Sequence, residues 1–272
     1  MGRYLIVNAD DFGLTPGVSD GILRAHREGI LTSTTFMVNF PWAGEMAGLL
    51  REAPDLGVGI HLNLTTGAPV LPPERVPSLV TRAGAFVRSV WRALARIQPE
   101  EARAEWMAQV EKGVKLLGRT PTHLDTHRFL QAYPPLCEAM LEVARQFGIK
   151  AVRILYPEFV PRGEFRRWSP AGFIVDRSLR RSAMLTRESG LSHPDQTLAG
   201  DFDLTGLLER LDRVEEGVNE LISHPGQADD QLAALTSLRE QREVELAALT
   251  APEARQRIEA RSIQLIHFGH FG

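Results

Sequence analysis

The chain has 272 residues, of which 43% are apolar and 24% charged, with a formal net charge of -3. That length can bury a full α/β core, the balance is that of an ordinary soluble protein, and there is no basic footprint for nucleic acid. Cys137 is the only cysteine, which excludes an intramolecular disulfide. No apolar run reaches membrane-spanning length and the N-terminal stretch has no basic region followed by a long apolar segment, so the expected location is cytoplasmic.

Leu5, Ile6 and Val7 form an all-apolar run, the pattern of a parallel strand covered on both faces, and it leads directly into Asp10 and Asp11 before Gly13 turns the chain. Thr15-Pro16 reads as a helix N-cap and first helical residue, with Val18, Ile22 and Ala25 at helical spacing and Gly29 as the stop. Residues 30–38, rich in Thr and other β-branched side chains, predict a second strand ending at Asn39, and 41–52 a short helix. A third strand over 57–64 contains His61. Pro69, Pro72, Pro73 and Pro77 then mark an irregular loop over the catalytic face.

Residues 91–117 are helical in pattern, broken at Pro99, and 122–127 form a strand in which His123, Asp125 and His127 would share one face. A helix over 134–147 and a strand over 150–155 carrying Arg153 follow, and then an Arg-rich stretch, 158–198, reads as a helical excursion with loops. A helix over 204–214 precedes a strand over 217–222 that runs into Ser223-His224-Pro225. Helices over 237–249 and 252–260 lead to a last strand over 263–267. Alternation of this kind from end to end, without a break in composition, predicts one wound or barrelled α/β domain covering residues 1–272.

In such folds ligands bind at the C-terminal ends of the strands, and there the sequence collects Asp10, Asp11, Asn39, His61, Asp125, His127, Arg153 and His224. Adjacent acids repel unless a cation lies beside them, and two imidazoles with one carboxylate, drawn from Asp11, His61 and His127, form a facial set that leaves room for water and substrate. Such an ion would polarise a carbonyl, with Asp10 taking a proton from the attacking water and His224 protonating the leaving amine. Asp125 is suited to hold a histidine ring through its second nitrogen. Arg153 either pairs a structural carboxylate or orients Asp10 or the substrate, and Asn39 either serves the site or caps the turn before Pro41. Ser192-His193-Pro194 repeats the Ser-His-Pro at 223–225, but only His224 follows a clear apolar strand. His26, His267 and His270 read as histidines satisfied by backbone carbonyls.

Taken in order, Ile6-Val-Asn-Ala-Asp10-Asp11-Phe-Gly13, Thr32-Ser-Thr34 with Asn39, Gly59-Ile-His61-Leu, Thr122-His-x-Asp125-x-His127 and Ser223-His224-Pro225 resemble the YdjC-like carbohydrate deacetylases, the family that includes the chitooligosaccharide deacetylase. The resemblance implies a distorted TIM-like (β/α) barrel, one divalent metal held by Asp11, His61 and His127, and Asp10 as general base. The reaction it implies is hydrolysis of the N-acetyl group of an N-acetylglucosamine-type saccharide. Two histidines favour Zn, Co or Ni by ligand softness, while Mg is often described for relatives. Where some members continue with a histidine-rich stretch after the last ligand, this chain has Arg128-Phe129-Leu130. The expected partner is a small N-acetylated saccharide, and a homodimer is compatible with a barrel of this size. The competing readings are a barrel hydrolase acting on glycosidic or phosphoester bonds and a non-catalytic sugar-binding protein.

Overall fold

A computed structural model describes residues 2–156 and 170–271. Its elements in chain order begin with β1 (Arg3–Phe12), α1 (Pro16–Glu28), β2 (Ser33–Phe36), α2 (Ala43–Arg51) and β3 (Gly57–Leu62). Next come α3 (Val90–Leu94), α4 (Pro99–Leu117), β4 (His123–Thr126), α5 (Pro134–Gln146), β5 (Ala151–Val152) and α6 (Pro170–Glu188). The chain ends with β6 (Gln196–Leu198), α7 (Leu204–Asp212), β7 (Gly217–Ser223), α8 (Leu232–Leu235), α9 (Glu240–Thr250), α10 (Pro252–Ala260) and β8 (Ile263–Ile266). The described strand pairs are parallel, and the fold belongs to the α/β class with the strand and helix alternation of a distorted TIM-like barrel, as expected. No helix among the described residues is long and apolar enough to cross a membrane.

The chain forms two compact units, Met1–Gly59 with Pro194–Gly272, and Ile60–His193. In the first, β1 is central. Along one edge it pairs with β7 from Arg3↔Gly217 to Ala9↔Ser223; along the other its first residues pair with β8 and its last with β2. With neighbours on both edges and α1 packed against it, β1 is buried from Leu5 to Phe12, and Leu5, Ile6 and Val7 are fully so. Thr15 caps α1 by accepting the Val18 N–H at 3.2 Å, and Pro16 sits where a missing N–H costs nothing. At Gly29 a Cβ would lie 2.3 Å from the Leu249 carbonyl oxygen, so the close approach of α9 to the end of α1 requires glycine.

In the second unit β4 pairs with the end of β3, with His61 opposite Asp125, and β5 pairs with β4. Pro99 does divide the helical stretch, with Gln98 held extended just before it. Some bounds differ from expectation. β2 ends at Phe36, so Asn39 lies in a turn beyond it, and β4 ends at Thr126, so His127 opens a 3-10 turn in place of continuing the strand face. Arg128 and Phe129 follow with φ of 57° and 55°, a left-handed pair that no strand accommodates. β5 has only two residues because on its far side it meets a single bridge, Ala151 to Ser192. Of the expected 158–198 excursion, residues 157–169 lie outside the described residues, α6 supplies the helix, and β6 is a strand too short to show a period.

Candidate functional site

The two candidate carboxylates of the first unit stand at a break in β1. The register against β2 shifts between Ala9 and Phe12, and Asp11 adopts φ of 72°, an uncommon conformation for a residue with a side chain. Gly13 then turns the chain at φ of 85°, where a Cβ would fall 2.7 Å from the Phe36 ring, and the Leu14 N–H closes the turn on the Asp11 carbonyl at 2.9 Å. Consecutive side chains of a regular strand point to opposite faces; the bulge releases Asp10 and Asp11 from that rule. Asp10 accepts from Asn8 Nδ2 at 3.0 Å. Because Ala9 pairs with Ser223, the next residue of each strand lies alongside, and His224 Nε2 is 3.9 Å from Asp10 Oδ2.

Helix α9 supplies two further groups to this end of the first unit. Arg242, almost fully buried, donates from Nη2 to Asp11 Oδ2 at 2.5 Å and from Nε to the Leu238 carbonyl at 3.1 Å. One turn on, Glu245 accepts the His224 backbone N–H at 2.7 Å. Burial pushes the Glu245 carboxyl up to about 7 and the nearby Asp201 charge adds to this, while the His224 N–H, Arg242 and Gln241 oppose it.

In the second unit, Asp125 is shared between two partners. One oxygen accepts from His61 Nδ1 at 2.6 Å and the other from Arg153 Nη1 at 2.6 Å, and all three side chains are nearly inaccessible. His61 Nε2 faces His127 Nδ1 at 3.3 Å, with the two rings close to perpendicular. His127 Nε2 lies 3.1 Å from Thr66 Oγ1. Metal–nitrogen bonds of ~2.0–2.1 Å at tetrahedral or octahedral angles put two ligand nitrogens about 3–3.4 Å apart, so this pair of imidazoles suits a common cation.

Of the residues singled out in the sequence, Asp10, Asp11 and His224 thus come together in the first unit, and His61, Asp125, His127 and Arg153 in the second. Asn39 is half-buried in its turn, and His193 stands between the Ser192 bridge and the start of β6, whereas His224 directly follows β7. His26 Nδ1 meets the Leu31 carbonyl at 2.8 Å, and His270 Nδ1 the His267 carbonyl at 3.1 Å. Arg242, Glu245, Asn8 and Thr66 were not foreseen. For the first two a signal existed, since they put charges three residues apart on a helix face that continues with Leu246 and Leu249, both buried.

A family model described as YdjC-like protein matches residues 4–260. A carbohydrate deacetylase of Thermoanaerobacter pseudethanolicus is 33% identical over 98% of this chain and 98% of its own length. A chitooligosaccharide deacetylase of Salmonella schwarzengrund is 42% identical over 57% of this chain and 60% of its own. The crystal structure of an Enterococcus faecalis V583 protein, named provisionally for cellobiose-phosphate cleavage, superposes with a TM-score of 0.86 at 31% identity over the whole of both chains.

Proposed function

The chain belongs to the YdjC-like family, and from that premise we propose that it is a metal-dependent carbohydrate deacetylase. It hydrolyses the N-acetyl group of an N-acetylglucosamine-type saccharide in the cytoplasm, residues 1–272 acting as one domain. The observation that carries the reading is the His61 Nε2 and His127 Nδ1 pair, 3.3 Å apart. Asp11 is assigned as the third ligand on the strength of the family membership, giving a set of two imidazoles and one carboxylate. The ion is divalent, Mg or Zn, and two imidazoles favour Zn.

When bound, the ion supplies a Lewis acid that polarises the acetamide carbonyl and acidifies a water. The remaining chemistry falls to this chain's own side chains. Asp10, buried and steered by Asn8, takes the proton from the attacking water. His224, whose side chain is 26% exposed, is open to a substrate while lying beside Asp10, and gives the proton to the departing amine. Asp125 holds the His61 ring through Nδ1, and its second oxygen neutralises Arg153, so Arg153 acts on the site through Asp125. Asn39, on the turn after β2, serves the site either against the substrate or behind the ligands.

The test is acetate release from N-acetylated mono- and disaccharides with several divalent metals, run with Asp10→Asn, His61→Ala and His127→Ala. Both histidine variants are expected to lose metal, and Asp10→Asn to keep metal and lose turnover. Unchanged metal content in both histidine variants refutes the ligand assignment. Release of reducing ends or phosphate without acetate would move the chain to glycosidic or phosphoester hydrolysis, and binding without turnover would make it a sugar-binding protein.

A further inference from the structure

Within the second unit the rings of His61 and His127 each have one nitrogen held by a protein oxygen. His61 Nδ1 meets Asp125 at 2.6 Å, and His127 Nε2 meets Thr66 Oγ1 at 3.1 Å; the other two nitrogens face each other. We propose that Thr66 is a positioning residue for His127. Its hydroxyl oxygen accepts the Nε2–H and thereby selects the ring tautomer whose Nδ1 carries no proton. The inference rests on the reading of His61 and His127 as ligands of one ion, and it says which nitrogen of each ring serves.

The reason lies in what the opposite tautomer would do. With the proton on Nδ1, it would sit in the 3.3 Å gap between the two rings, as a hydrogen bond to His61 Nε2, and it would have to be displaced before a cation could enter. Asp125 settles the matter for His61, because a carboxylate only accepts and so places that ring's proton on Nδ1. Thr66 plays for His127 the part that Asp125 plays for His61, with a weaker and neutral acceptor.

Thr66 is held in place from α4 by a ladder of buried amides. Asn63 accepts the Thr66 N–H at 3.1 Å through Oδ1 and donates to the Thr66 carbonyl at 2.6 Å through Nδ2, clamping both backbone groups. Gln109 does the same to Asn63, accepting its N–H at 2.9 Å and donating to its carbonyl at 2.7 Å. Behind Gln109, Glu105 accepts from Gln109 Nε2 at 2.8 Å and from the Val70 and Leu71 N–H groups at 2.8 and 2.9 Å. None of Asn63, Thr66, Glu105 and Gln109 is more than 2% exposed. A polar network at this depth fixes the Thr66 backbone, and with it the point from which the hydroxyl meets the ring.

The test uses the full chain labelled with ¹⁵N-histidine and compares the parent with Thr66→Val, which keeps the shape and loses the acceptor, and Thr66→Ser, which keeps the hydroxyl. Without metal, the His127 spectrum of the parent should report Nε2 protonated and Nδ1 bare, Thr66→Ser should match it, and Thr66→Val should lose the preference. Zn²⁺ titrated against a chelator should bind Thr66→Val about 10–100-fold more weakly than the parent, the usual loss on removing an outer partner of a ligand, with Thr66→Ser restored. A parent protonated on Nδ1, or Zn²⁺ affinity in Thr66→Val equal to that of the parent, overturns the proposal. Failure of the underlying reading looks different: Zn²⁺ would then leave the His61 and His127 signals of the parent unmoved, and both ideas would fall.

Discussion

Arg242→Met removes the positive charge that most directly supports Asp11. The side chains of Arg242 and Asp11 are 1% and 4% exposed, and their contact is 2.5 Å. Methionine keeps much of the buried arginine stem and removes the cation, so the variant leaves a buried carboxylate without its counter-charge. Breaking a buried pair in this way costs about 3–5 kcal/mol. A second route gives a similar size: an aspartate that escapes by taking a proton at pH 7 works against an ordinary value near 3.9, at about 1.4 kcal/mol per pH unit, or roughly 4 kcal/mol. At roughly 2–4 °C per kcal/mol for chains approaching this size, the metal-free variant should melt on the order of 10 °C below the parent. If Asp11 is a ligand, saturating Zn²⁺ takes over the neutralisation and narrows the gap. Thermal and urea unfolding in EDTA and in Zn²⁺ read both effects. A loss under about 1 kcal/mol in EDTA refutes the electrostatic argument, and an equal loss in EDTA and Zn²⁺ refutes the part that makes Asp11 a ligand.

Glu245→Gln should flatten one part of the stability profile. Because the folded-state value is raised from 4.5 to about 7, Glu245 contributes stability in its protonated form that is complete below pH 4.5 and lost as pH rises through about 7. Glutamine keeps an acceptor for the His224 N–H and does not ionise, so the variant should gain on the parent by up to about 3 kcal/mol between pH 5 and pH 8; equal urea midpoint differences at the two values contradict this. Gly13→Ala, at φ of 85° and with its Cβ 2.7 Å from the Phe36 ring, should lose about 2–4 kcal/mol from backbone strain and overpacking together. Equilibrium unfolding within about 0.5 kcal/mol of the parent would remove the steric account of that turn.

What could be read in one dimension was the part of the site that depends on where strands end. An apolar run followed by acids at 10 and 11, a polar alternation at 122–127 and an apolar strand before His224 are local patterns, and each carries its own evidence for a strand terminus. The local geometry at those termini was less visible. Asp11 in a left-handed conformation and the Arg128 and Phe129 pair break the period on which the strand reading depends, and nothing in their residue types marks the break. The supports of the site were hidden for a different reason: they come from helices, and reach their targets over long stretches of chain. Arg242 pairs with a residue 231 positions away, and Gln109 reaches Asn63 across 46. Helical periodicity says that such a residue faces inward but not what it will meet. A charge on an inward face must still be compensated, because leaving it unpaired costs several kcal/mol. Arg242, Glu245 and Glu105 all occupy inward faces, so the rule that picks strand-end acids as candidate ligands has a counterpart for helices: an ionisable residue on an apolar stripe points to a polar group waiting for it. That rule identifies the helix that braces a site without identifying the atom it braces, and here only the folded chain supplies the second half.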